Sequence, residues 1–170
     1  MATDPKAGTP PPPATKTEGA IKAGNGHYCF ELARLQAIDA GPGYSTAHGP
    51  VVEGERIQIG LMRMPKGTGG RPHSHPNEQW VYVVQGTLEC EIEGVRSRAS
   101  AGSLIYMPAN AVHWALATVD EDVIFLTAKD NCSLECVFIV FSDSGNNTMS
   151  MKKRIEIRPR KFNIKYFGIG

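Results

Sequence analysis

Residues 67–86 read GTGGRPHSHPNEQWVYVVQG, and the remainder of the chain is arranged around this stretch. It places three candidate metal ligands, His73, His75 and Gln79, within seven residues. Side chains alternate across a β-strand with a period of two, so these three project from one face. The following run from Trp80 to Val84, WVYVV, is β-branched and aromatic, which predicts a strand.

A second stretch, residues 102–117, reads GSLIYMPANAVHWALA. Pro108 and Asn110 predict a turn that leads into another apolar strand, one carrying His113. Together the two stretches resemble the motifs of the cupin family. The first is Gly, five residues, His-x-His, three or four residues, Glu, six residues, Gly, matched here by Gly67, His73, His75, Gln79 and Gly86. The second is Gly, five residues, Pro-x-Gly, two residues, His, three residues, Asn, matched by Gly102, Pro108, Asn110, His113 and Ala117. Every fixed position agrees in spacing across about fifty residues. The resemblance implies an all-β single domain, a double-stranded β-helix or jelly-roll barrel. It also implies that His73, His75, Gln79 and His113 hold one divalent transition metal, iron, manganese, zinc or nickel.

Three positions depart from the family pattern. Asn110 stands for Gly, and Asn tolerates a left-handed backbone better than other residues with a side chain. Ala117 stands for Asn and removes a polar group from one wall. Gln79 stands for Glu. The adjacent Glu78 fits neither the distance from His75 nor that to Gly86, and strand parity points it outward, so Gln79 is the expected ligand.

Neutral imidazoles suit first-row divalent ions, and an amide oxygen can fill a fourth position, leaving one or two open for chemistry. With Gln79 in place of a carboxylate the ligand set is neutral. The bound ion is then a stronger Lewis acid, and iron there is less easily oxidised. Gln79 is no base, so a proton acceptor must come from elsewhere. Two side chains are candidate catalytic groups: Tyr106 as a proton donor in the pocket, and Arg63 as the holder of a substrate carboxylate, provided that its face of the strand is the barrel interior. The alternatives are a packing role for Tyr106 and a solvent-facing strand end for Arg63. Arg71 shares the parity of His73 near the barrel mouth. Met62 and Met64, at alternate positions, are expected to line the pocket or core. His27 and His48 lie outside both motifs.

At 170 residues the chain holds one domain with a sizeable core. A net charge of +1 argues against a dedicated nucleic-acid surface, and no run approaches the roughly 18 apolar residues that a membrane span requires. The opening MATDPKAGTPPPPATKTEG is polar throughout and contains no hydrophobic signal core, so the expected location is the cytoplasm. In that compartment Cys29, Cys90, Cys132 and Cys136, which lack metal-type spacing, are expected to be free thiols.

Residues 1–26 carry five of the twelve prolines and are expected to form a disordered arm. Residues 27–141 form the barrel. Within it residues 27–40 have both helical and strand spacings, Ile57, Ile59 and Leu61 share one strand face, and residues 87–100 predict a hairpin. Residues 132–141 can supply another strand. Residues 142–170 form a basic extension: from Met151 to Gly170 there are seven Lys or Arg and one Glu, against totals of 18 basic and 17 acidic residues.

The resemblance implies a metal-dependent enzyme acting on a small molecule that chelates through oxygen. The chemistry is either that of a dioxygenase or that of a non-redox isomerase or lyase, as in small cupins that process unsaturated sugar acids. The alternative is a non-catalytic binding or sensing cupin. Trp80, Tyr82 and Trp114 have the parity opposite to the ligands and face out of the metal pocket, so a homodimer joined through them is expected, the alternative being that they pack under the terminal segments.

Overall fold

The computed structural model describes residues 15–131 and 137–138. Among them thirteen strands are joined by turns and a single 3-10 turn at Leu32–Arg34. The first strands are short: β1 (Ile21–Lys22), β2 (Ile38–Asp39), β3 (His48–Gly49) and β4 (Val51–Glu53). The barrel proper comprises β5 (Ile57–Met64), β6 (His73–Ser74), β7 (Gln79–Gln85), β8 (Thr87–Ile92), β9 (Val95–Ser100), β10 (Leu104–Met107), β11 (His113–Ala117) and β12 (Val123–Asp130), followed by β13 (Val137–Phe138).

The strands form two sheets. One runs β1-β4-β5-β12-β7-β10, with β3 joining β5 and carrying β2; the other runs β13-β6-β11-β8-β9. Every pairing is antiparallel except that of β1 with β4. Alternation decides what each strand buries. On β5 the inner side chains include Met62 and Met64, on β7 Val81 and Val83, on β10 Ile105 and Met107, and on β12 Val123 and Phe125; the opposing sheet adds Leu88, Cys90, Ala99 and Ala117. Burying these residues from both sheets closes the jelly-roll barrel. No helix among the described residues is long and apolar enough to cross a membrane.

Turn chemistry fixes the registers. Glu93 and Gly94 both have positive φ, 50° and 82°, as a two-residue type I′ hairpin requires, and β8 and β9 pair without a slip from Ile92–Val95 to Thr87–Ser100. Gly86, at φ 78°, turns β7 into β8, and a Cβ there would lie 2.8 Å from the carbonyl oxygen of Asp122. Only glycine fits without displacing backbone.

The N-terminal boundary differs from the expectation of a disordered arm ending at residue 26. Residues 15–26 are placed on the barrel, and β1 pairs with β4. The buried Glu53 is the anchor. Its carboxylate accepts the Lys16 and Thr17 backbone N–H groups at 3.0 Å, and the Lys22 ammonium lies 3.8 Å away. A buried carboxylate needs such partners, and no apolar periodicity in residues 15–26 announces them. Residues 27–40 resolve into the 3-10 turn and β2. The proline-rich residues 1–14 and the basic extension lie outside the described residues, as do Cys132 and Cys136; Cys29 and Cys90 are free thiols.

Candidate metal centre

His73 and His113 are register partners on β6 and β11, so their side chains meet on the inner face. His75 follows directly after β6, and Gln79 opens β7. The turn of the second motif is also bonded to the first: the Asn110 N–H donates to the His75 carbonyl at 2.7 Å. Asn110 is the third residue of a turn closed by the Ala111 N–H on the Pro108 carbonyl, 3.1 Å, and its φ is 64°. A positive φ at that position is what a type II turn requires, and Asn supplies it where the family pattern has Gly.

The imidazoles of His73, His75 and His113 converge, with ligating nitrogen atoms within 4.8 Å of one another. Each ring is oriented by a backbone carbonyl. Nδ1 of His73 meets the Arg71 oxygen at 2.8 Å, Nδ1 of His75 the Asn77 oxygen at 2.9 Å, and Nδ1 of His113 the Ala111 oxygen at 2.9 Å. A carbonyl only accepts, so Nδ1 carries the proton in all three rings and Nε2 keeps its lone pair. Histidines that ligate metals are held in this way, one ring N–H donating to a carbonyl while the other nitrogen faces the ion.

Gln79 is oriented as well. Its amide nitrogen donates to the Thr127 hydroxyl at 3.0 Å, and that hydroxyl donates to the Trp80 carbonyl at 3.3 Å. The amide oxygen therefore faces the triad and lies 3.0 Å from Nε2 of His75. With Nδ1 of His75 holding the ring proton, two lone pairs oppose each other there, an arrangement that a cation bound by both relieves. Three imidazole nitrogens and one amide oxygen thus fit a first-row divalent ion.

Burial keeps the rings neutral. Desolvation lowers His73 and His75 to about 4, opposed by their carbonyl hydrogen bonds and reinforced by the Lys129 ammonium and neighbouring imidazoles. His113 is lowered in the same way, by desolvation first. Neutral imidazole is the ligating form.

The site forms part of the wall of a cavity of about 150 Å³. Met62 and Met64 line it, as the alternation of β5 predicts, together with Tyr44, whose ring centroid is 4.5 Å from that of His73. Arg63 and Tyr106 do not line it, which corrects the expectation that they serve in the pocket. Arg63 has the parity opposite to Met62 and Met64 and is exposed, its Nε donating to Asp122 at 2.8 Å. The Lys66 N–H and the Arg63 guanidinium hold that carboxyl below its usual range. Tyr106 alternates with the buried Ile105 and Met107, so it faces outward and stacks on Trp80, ring centroids 4.6 Å apart. Partial desolvation and the nearby Glu78 raise its phenol above the ordinary value. Glu78 itself is exposed, and its N–H donates to Asp130. Arg71 is exposed and His27 and His48 stand apart from the cavity wall.

Lys129, Gln58 and Thr17 are among the cavity residues that were not anticipated. Lys129 and Gln58 could have been found by extending the alternation: Val123, Phe125, Thr127 and Lys129 share one face of β12, and Gln58, Gly60, Met62 and Met64 one face of β5. Thr17, brought to the wall by the Glu53 anchor, has no local signal.

Residues 60–129 match the family model described as Cupin domain. Among solved structures the chain is similar to an RmlC-like cupin from Shewanella frigidimarina at 21% identity and TM-score 0.53, covering 61% of this chain and 89% of that one. It is similar to KdgF from Halomonas sp. at 25% identity and TM-score 0.50, covering 58% and 87%. It is also similar to the polyketide cyclase RemF from Streptomyces resistomycificus at 16% identity and TM-score 0.59, covering 68% and 87%. No curated protein matches the chain. The paired motifs, the jelly-roll barrel and the family match agree that residues 60–129 of this chain form a cupin domain.

Proposed function

We propose that the protein is a metal-dependent enzyme acting on a small molecule that presents oxygen donors, with His73, His75, Gln79 and His113 as the ligands of one divalent ion. The observation that carries this reading is the convergence of three imidazoles whose Nδ1 atoms are each committed to a backbone carbonyl. When bound, a divalent ion supplies Lewis acidity to a substrate oxygen. The chain's own residues do the remainder. The three histidines and Gln79 fix one end of the substrate, Thr127 holds the Gln79 amide in its ligating sense, and the apolar wall of Met62, Met64, Val81 and Phe125 excludes water. Among the described lining residues Asp39 is the one carboxylate, and it is exposed on β2 at the mouth.

A neutral ligand set favours non-redox polarisation of a carbonyl, in isomerase or lyase chemistry, over dioxygen activation. The test is turnover of a panel of diketones, hydroxy-ketones, phenols and sugar acids by zinc-loaded and iron-loaded protein, with dioxygen uptake recorded in parallel. Turnover without dioxygen uptake that is abolished in His73→Ala is expected. Turnover only with iron and dioxygen would assign the oxygenase chemistry instead. Tight binding without turnover would leave a binding or sensing cupin.

A homodimer is part of the same proposal. Trp80 and Tyr106, and Tyr82 and Leu104, are register pairs on β7 and β10, and all four are exposed on one outer face. Trp114 does not belong to this face: it lies on the other sheet, beneath the Arg96 guanidinium at 5.9 Å.

A further inference from the structure

Register sorts the inner side chains of the larger sheet into layers. Lys129 lies between Gln58 and Gln79, with Met107 beyond Gln79. This layer holds the candidate metal ligand. The layer beneath it is Gly60, Thr127 and Val81, and beneath that come Met62, Phe125 and Val83. All of these except Val83 line the cavity, which therefore runs from a polar layer at the ligand into two apolar ones. Thr127 belongs to the apolar side by its methyl group. Its hydroxyl donates to the Trp80 carbonyl and accepts the Gln79 amide, whereas its methyl carbon would lie 3.2 Å from a Cβ placed on Gly60. That Cβ would also come within 2.5 Å of the terminal methyl of Met62, so glycine at this position leaves the chamber its width. The polar groups of the upper layer are engaged within the protein. The Thr17 hydroxyl donates to the Gln58 amide oxygen at 2.8 Å, Thr127 holds Gln79, and Lys129 has partners of its own.

We propose that the substrate has two unlike ends: oxygen donors that meet the metal site in the upper layer, and a hydrocarbon body that passes Gly60 to lie against Met62 and Phe125. This rests on the metal reading above and narrows its substrate class. A polyhydroxylated body, such as that of a sugar acid, would set its hydroxyls against carbon and sulfur, where a hydroxyl without a partner is costly. A hydrocarbon body leaves no polar group unpaired there and gains by leaving water. Methionine is unbranched and adaptable, so Met62 can follow the outline of such a body. Successive layers lie about 6.5 Å apart along the strands, so a body of a few carbon atoms reaches the Met62 layer. Gly60 is then the residue that sets how long that body can be.

The experiment titrates full-length protein loaded with cobalt(II) with 2-hydroxypentanoate and with xylonate, read by visible absorption and calorimetry. The two acids share one chain length and one 2-hydroxy-acid head, and they differ only in the hydroxyls along the tail. 2-Hydroxypentanoate is expected to bind about tenfold or more tightly. Xylonate binding as tightly or more so, or no response of the cobalt-loaded protein to either acid, would overturn the proposal and leave the metal site standing. Gly60→Ala narrows the chamber against the flexible end of Met62. It should weaken 2-hydroxypentanoate about fivefold or more and leave lactate, which has the same head and only a methyl beyond it, unchanged. Equal changes for the two acids, or none for either, would overturn the placement of the body. Failure of the wild type to bind cobalt would overturn the metal reading itself.

Discussion

At the scale of single residues, the site depends on groups that fix other groups. The Gln79 amide oxygen is turned toward the imidazoles because Thr127 takes its amide N–H. Thr127→Val removes that acceptor while keeping the side-chain shape, and it should weaken metal binding by about 10–100-fold, the usual cost of losing a ligand's supporting partner. Competition with a chelating indicator reads this directly; unchanged affinity would mean that Gln79 is not held by Thr127. Gln79→Glu restores a negative ligand and should tighten divalent binding by at least about an order of magnitude. The convergence of His73, His75, Gln79 and His113 was legible in the sequence, because they stand at fixed spacings from motif glycines and from one another. Lys129 was not read, because the apolar run that marks β12 ends before it. Tyr106 and Arg63 were misplaced for a related reason: strand parity separates the two faces but does not by itself say which face is inner.

At the scale of elements, two joints position the site. Glu53 pins residues 16–17 to the barrel, and Thr17 is part of the cavity wall. Glu53→Gln replaces charge-assisted acceptors with a neutral amide and should cost about 1.5–3 kcal/mol of stability. It should also make the N-terminal segment sensitive to proteolysis while the rest of the barrel stays protected. Denaturant midpoints and limited proteolysis check both parts. This joint was invisible in the sequence, since a polar stretch held by backbone N–H groups has no periodicity to read. The turn at Asn110, by contrast, was anticipated from the tolerance of Asn for a positive φ, and that turn carries a bond to His75 in the first motif.

At the scale of the whole molecule, the buried histidines tie stability to pH. An unfolded chain protonates its histidines near 6.5, whereas folding holds His73 and His75 at about 4. Between those values the unfolded chain binds more protons than the folded one. The stability of the metal-free barrel is therefore full above about pH 6.5 and falls as the pH drops toward 4. Denaturant midpoints measured with chelator present across that range should show the decline, and a flat profile would contradict it. In the proposed homodimer the outer aromatic face is the interface. Tyr106→Asp should move the protein from dimer to monomer in sedimentation velocity, without loss of metal.

The central claim is that one ion is held by residues from both motifs. The most direct test is elemental mass spectrometry of full-length protein loaded with zinc and desalted, comparing wild type with His113→Ala and confirming by circular dichroism that both are folded. About one zinc per chain in the wild type, lost from folded His113→Ala, is the expected result. A wild type that retains no zinc, or a variant that retains it undiminished, would contradict the claim.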